Sequence, residues 1–124
     1  MPVLDGAAAN VSVLRGVCSA EPEVRELASG DRVASLSLRV PADGDRSTSV
    51  PVMVWDPKGW VEDLAAGDEV VVVGHVRRRF FRTAAGGAGS RVEVVAEHIV
   101  RARHQRSVQS TIDRARRALD DLVA

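Results

Sequence analysis

Aromatic residues are scarce. They make up 3% of the 124-residue chain, tyrosine is absent, and every ring other than histidine belongs to Trp55, Trp60, Phe80 or Phe81. A single cysteine, Cys18, excludes both an intramolecular disulfide framework and a multi-cysteine zinc site. No stretch reaches the roughly 18 apolar residues of a membrane span, and Met1–Asn10 has neither the basic start nor the apolar run of a secretory signal. The expected compartment is therefore the cytoplasm, with no membrane partner. Catalytic equipment is missing too. His75, His98 and His104 have no metal-ligand spacing, and Cys18 reads as a small apolar residue of a strand. There is no Gly-x-Ser-x-Gly. Gly86-Gly87-Ala88-Gly89 lies between two strand patterns, so it lacks the helix N-terminus that a phosphate loop requires. The inventory leads to a binding protein with no metal and no cofactor, not to an enzyme.

What is present is charge, unevenly placed. The chain carries 17 basic and 17 acidic residues, but residues 1–70 hold 6 basic and 12 acidic ones and residues 71–124 hold 11 and 5. Such asymmetry suits an anionic partner for one face. Only Lys58 is lysine and the other 16 cations are arginines, a bias that a GC-rich genome produces as readily as phosphate recognition does.

The pattern along the chain is one of short strands. Residues 1–9 are small and weakly patterned and read as a flexible arm. Val11–Ala20 alternates, with Gly16 marking a bulge or tight bend. Glu21-Pro22 interrupts it and Glu23–Leu27 continues. After the Ser29-Gly30-Asp31 turn, Arg32–Val40 alternates cleanly, and Pro41–Ser47 is a polar loop. Val50–Trp55 is a third strand, in which Pro51 cannot donate a ladder hydrogen bond, so firm pairing is expected from Val52 onward or the strand lies at an edge. Asp56–Ala66 reads as a short helix with Asp56 as N-cap and Pro57 at its first position. Glu69–Phe81 and Arg91–Arg101 are two further strands around a flexible loop, Thr83–Ser90. An all-β chain of five strands, with a short helix between the third and fourth, has the order of the oligonucleotide/oligosaccharide-binding (OB) barrel over residues 10–103. A generic small barrel or sandwich has the same strand count.

Residues 104–124 change period. Val108, Ile112, Ala115, Leu119 and Leu122 recur at steps of four and three, the seam of an amphipathic C-terminal helix that docks on the barrel or pairs with a second chain. Ser110 and Asp113 have capping-box spacing, and Ser107 is an equally good N-cap. The chemistry-bearing cluster is Gly74-His75-Val76-Arg77-Arg78-Arg79-Phe80-Phe81-Arg82. Alternation in a strand puts Arg77, Arg79 and Phe81 on one face within about 14 Å. Guanidiniums fork onto phosphates, and a ring offers a base a stacking platform without demanding a sequence. The plain alternative is a solvated arginine-rich strand end with core phenylalanines.

Several segments, in order, resemble the bacterial single-stranded DNA-binding protein family. They are Asn10-Val11, Gly16-Val17, Glu21-Pro22-Glu23-Val24-Arg25, Ser29-Gly30, Val33-Ala34 and Leu36-Ser37-Leu38 at the start. Val52-Met53-Val54-Trp55 and Gly67-Asp68-Glu69-Val70 follow, then Gly74–Phe81 and Val92–Ile99. The resemblance covers residues 10–101. It implies an OB fold, usually a homotetramer, that binds single-stranded DNA in replication, recombination and repair. It implies stacking by Phe81 and Trp55 and phosphate contacts by Arg77 and Arg79, with Arg82, Arg15, Arg25, Arg32 and Arg39 as further DNA-facing positions. The family's extra aromatic near the start of the third strand is missing from Ser47-Thr48-Ser49-Val50. The affinity is therefore expected to be more electrostatic and more salt-sensitive than usual. Asp120-Asp121-Leu122-Val123-Ala124 lacks the phenylalanine-ended acidic tip, so recruitment of replication proteins through such a tip is not expected. Two other readings remain open. One is an OB-fold interaction module that oligomerises, as a dimer or higher, through its C-terminal helix with little nucleic-acid binding. The other is an RNA-binding barrel.

Overall fold

Even-numbered apolar residues build the interior. Leu36, Leu38 and Val40, Val52 and Val54, Val70 and Val72, and Val94 all belong to one core cluster, as a two-residue side-chain period requires when one face of each strand is buried. The computed structural model describes residues 9–123; the arm expected over residues 1–9 lies, except for Ala9, outside the described residues. The strands are β1 (Ser12–Cys18), β2 (Glu23–Glu26), β3 (Arg32–Pro41), β4 (Ser47–Trp55), β5 (Glu69–Arg82) and β6 (Ala88–Arg101), with α1 (Gly59–Glu62) after β4 and α2 (Gln105–Asp120) after β6. Around the barrel the order is β1-β5-β6-β4-β3, and β3 pairs back onto β1 to close it. β2 is a short flap on β3, so the closed barrel has five strands and is mixed: β4 and β6 are parallel and the other pairs antiparallel. This is the OB arrangement that the strand order suggested.

Two glycines make the closure possible by their lack of a side chain. At Gly16 β1 is still opposite Val70 of β5 and gains β3 as a second neighbour from Val17 onward, and a Cβ there would overlap the Arg39 carbonyl oxygen. At Gly74 the β5–β6 register slips by one residue, from Val73 opposite His98 to Gly74 opposite Ala96, and a Cβ would overlap the Val95 carbonyl oxygen. Beyond this bulge the β5–β6 hairpin projects past the barrel, because β1 ends opposite Gly74. Asn10 extends the edge by one step: its side-chain amide donates to the Val76 carbonyl and accepts from the Val76 N–H, both at 2.8 Å.

Several boundaries differ from the sequence reading. The segment read as one interrupted first strand is two, β1 and β2. β6 begins at Ala88, not Arg91, because the ring of Phe81 lies over Gly89 and supplies the packing that glycine lacks. The loop is reduced to residues 83–87, closed by the Thr83 N–H donating to the Gly87 carbonyl at 2.8 Å. The helix between β4 and β5 keeps its place but shrinks to Gly59–Glu62. Asp56 does not cap it: its N–H donates to the Arg32 carbonyl at 2.8 Å, lengthening the β3–β4 ladder, and its φ of 49° turns the chain out of the strand. Val61 and Leu64 plug the barrel end, and an ion pair from Arg32 to Glu62 pins the turn. Pro51 sits opposite Ser37, and β4 gains a second neighbour, β6, only at Val52, so the stretch before it is an edge as proline requires. Cys18 is in the core; burial, with help from Asp68, pushes its thiol pKa up and keeps it protonated.

α2 starts at Gln105, upstream of both serines considered as caps, because Val108 N–H donates to the His104 carbonyl and closes the first turn. The helix lies against β5 and β6. Its buried residues are Thr111 and Ala115, with Val108 and Ile112 half-buried, whereas Leu119 of the same seam is exposed and Leu122 half-buried.

Candidate nucleic-acid interface

Odd-numbered residues of β3 and β4 alternate with the even-numbered core residues and point out of the barrel, and on the hairpin the odd-numbered residues of β5 lie on the face opposite Val76, whose partner Val94 is in the core. On the hairpin, Arg77 stands opposite Glu93, Arg79 opposite Arg91, and Phe81 opposite Gly89. These cross-strand pairs form one outward strip. Phe81 is 38% exposed, with its ring laid across Gly89 and the Arg79 guanidinium 5.7 Å from the ring centroid. Glycine at position 89 lets the ring pack closely against the strand, and the ring stays partly exposed with a guanidinium over it, an aromatic and cationic pair suited to a base and its phosphate.

Glu93 organises the cations. Its carboxylate is fully buried and receives Arg77 Nη2 at 2.7 Å on one oxygen and Arg79 Nε at 3.0 Å on the other. Arginine carries five N–H donors in a planar fork. Arg79 uses Nε on Glu93, so its Nη1 and Nη2 edge remains for an anion. Arg77 is held more tightly, and its Nε is buried without a partner among the described residues. Arg91, exposed and directly across from Arg79, adds a like charge. Like charges directly opposite on paired strands cost stability, and an anion bound between them relieves that cost. Three guanidiniums and one carboxylate leave the strip cationic.

The structure brings some of the sequence candidates together and separates others. Arg77, Arg79 and Phe81 share the strip. Trp55, at the end of β4, is 39% exposed and lies on the same outward side, since it follows Met53, which sits beside Val95 of β6. It reaches the level of Glu97, about 27 Å from Gly89 along β6 at about 3.4 Å per residue. Arg25 is exposed opposite Val33, which is opposite Trp55, so it flanks the tryptophan end. Arg39, opposite Ser49, points outward on the part of β3 nearer the hairpin end. Arg82 faces the other side of the hairpin, opposite Ala88. Arg15 is on β1 beside Glu69, which it pairs at 2.8 Å, away from the strip. Arg32 is bound to Glu62 at the barrel end. Phe80 is not in the core: it is 75% exposed on the hairpin's other face with Val76 and Val92.

Glu93 was missed by sequence reasoning, and Arg91, though counted among the arginines of the last two strands, was not singled out as a contact. Alternation alone puts both on one face of β6, but their partners depend on the hairpin register, and the small-residue loop gives no signal for where β6 starts.

Residues 9–102 match the model of a family described as the single-strand binding protein family. No curated protein matches the chain significantly.

Proposed function

The chain belongs to the single-strand binding protein family, and from that premise we propose that it binds single-stranded DNA without sequence preference along the outward side of β3, β4 and the β5–β6 hairpin. The family's members are binding proteins, and nothing in this reading requires catalysis. Phosphates meet Arg79 and Arg91, with Arg77 behind them, while bases stack on Phe81 and Trp55. The observation that carries this reading is Phe81, packed against Gly89, partly exposed, and with the Arg79 guanidinium over its ring. Stacking and phosphate contacts are both indifferent to base identity. The setting is the bacterial cytoplasm, in replication, recombination or repair, where single strands are exposed. The protein acts as a homo-oligomer. The uncovered apolar residues Val76, Phe80 and Val92 on the hairpin and Leu119 on α2 support association with further copies.

Phe81→Ala tests the stacking role. Titration of a fluorescent oligo-dT should show affinity about 5- to 150-fold weaker, the equivalent of about 1–3 kcal/mol for one stacked base. The salt dependence should be unchanged, because no phosphate contact is removed. Equal affinity of variant and wild type would remove Phe81 from the interface.

A further inference from the structure

A second concave site lies between the barrel and α2. It is a groove of about 480 Å³, within the range of about 300–1,000 Å³ typical of ligand sites. One wall is the β4–α1 segment with Trp55, Lys58 and Trp60; the floor is β6; the other wall is α2 with Arg106, Ser110 and Arg114. Those three α2 residues recur at steps of four, so they line up on one helix face. That face is not the apolar seam, and the seam explains nothing about it. Arg114 Nη1 lies 3.0 Å from His98 Nε2, and a neutral imidazole acceptor does not cancel the guanidinium's charge. The two carboxylates of the lining, Asp56 and Glu97, lie on the barrel side, and Glu97 Oε1 is 3.4 Å from His75 Nδ1. The groove thus has both indoles, Lys58 and the two carboxylates on its barrel side, with the Arg101 guanidinium 5.3 Å from the Trp60 ring centroid, and guanidiniums and a hydroxyl on its helix wall.

We infer that this groove holds a further stretch of the same single strand, with bases against the indoles and phosphates against Arg106, Arg114 and Lys58. The inference rests on the proposed function, and it gives α2 a role in ligand binding beyond packing. Trp55 belongs to both sites, so the bound strand runs from Phe81 along β6 to Trp55 and then under α2.

The test uses the full chain and oligo-dT at several salt concentrations, with wild type, Arg106→Ala/Arg114→Ala and Arg106→Ala alone. The single variant guards against undocking of the helix, since Arg106 makes no ion pair or side-chain hydrogen bond among the described residues. Each lost phosphate contact should flatten the slope of log K against log salt by about 0.7, so by about 1.4 in the double variant. Affinity at low salt should fall about tenfold, and Arg106→Lys/Arg114→Lys should restore the slope. Both tryptophans of the chain line the groove, so their emission should be quenched on binding and less so in the double variant. If the wild type binds but both alanine variants keep its slope and its quenching, the groove holds no DNA and the inference is overturned, while the proposed function stands. If the wild type fails to bind at low salt, the proposed function itself fails.

Discussion

Replacing Arg77 and Arg79 together by alanine is expected to destabilise the protein before it says anything about DNA. Both guanidiniums end on Glu93, whose carboxylate is fully buried. Removing both leaves a buried charge with neither of its ion-pair partners, and stranding a buried charge costs about 3–5 kcal/mol. For a chain of this size roughly 4 °C of melting temperature goes with each kcal/mol, so the midpoint should fall by about 12–20 °C. Adding Glu93→Gln removes the stranded charge and should recover most of that loss, since an amide still hydrogen-bonds at lower desolvation cost. The triple variant is then the clean test of the arginines as DNA contacts. A double variant that melts within a few degrees of wild type would mean that Glu93 is not held by these arginines. In the proposed binding mode each phosphate on Arg77 or Arg79 shares that guanidinium with Glu93, so Glu93 would moderate affinity as well as position the cations.

Gly74→Ala is expected to be the most damaging single small substitution. Gly74 sits where β1, β5 and β6 meet, opposite Ser12 on one side and Ala96 on the other. The added methyl would overlap the Val95 carbonyl oxygen, which belongs to backbone and cannot rotate away. Overpacking a tight site costs about 1–3 kcal/mol and more when backbone must move. The expected loss is at or above the top of that range, a fall in midpoint of about 12 °C or more. The hairpin would also lose its bulge and its angle to the barrel, so DNA affinity should fall with stability. Gly59→Ala is the matched control: a Cβ there meets nothing within 4 Å, and its melting curve should be close to wild type. Equal melting curves for the two variants would contradict the assigned role of Gly74.

The barrel was legible because its strands alternate. Leu36, Leu38 and Val40 on β3 announce a buried face without any knowledge of partners, and proline at position 51 announced where β4 gains its second neighbour. Boundaries set by tertiary contacts were not legible. Asp56 and Pro57 have the residue types of a helix start, yet the Asp56 N–H goes to Arg32 on another strand. Gly89 reads as loop, yet it is strand because Phe81 covers it. At the candidate site, alternation grouped Arg77, Arg79 and Phe81 correctly, but assigning exposed arginines to DNA by position matching scattered them. Arg15 and Arg32 pair with Glu69 and Glu62, partners 54 and 30 residues distant. The groove under α2 had no sequence signal at all, because it exists only once the helix docks across β6.

The proposed recognition of single strands rests on backbone charge and on stacking at a sparsely aromatic, cation-rich outer face. The most direct measurement is competition at low and high salt against a labelled oligo-dT, using unlabelled single strands of two unrelated sequences and a duplex of equal length. The expected result is that both single strands compete about equally, the duplex competes poorly because its bases are not free to stack, and affinity drops steeply as salt rises. Absence of binding at low salt, or a duplex that competes as well as the single strands, would contradict it.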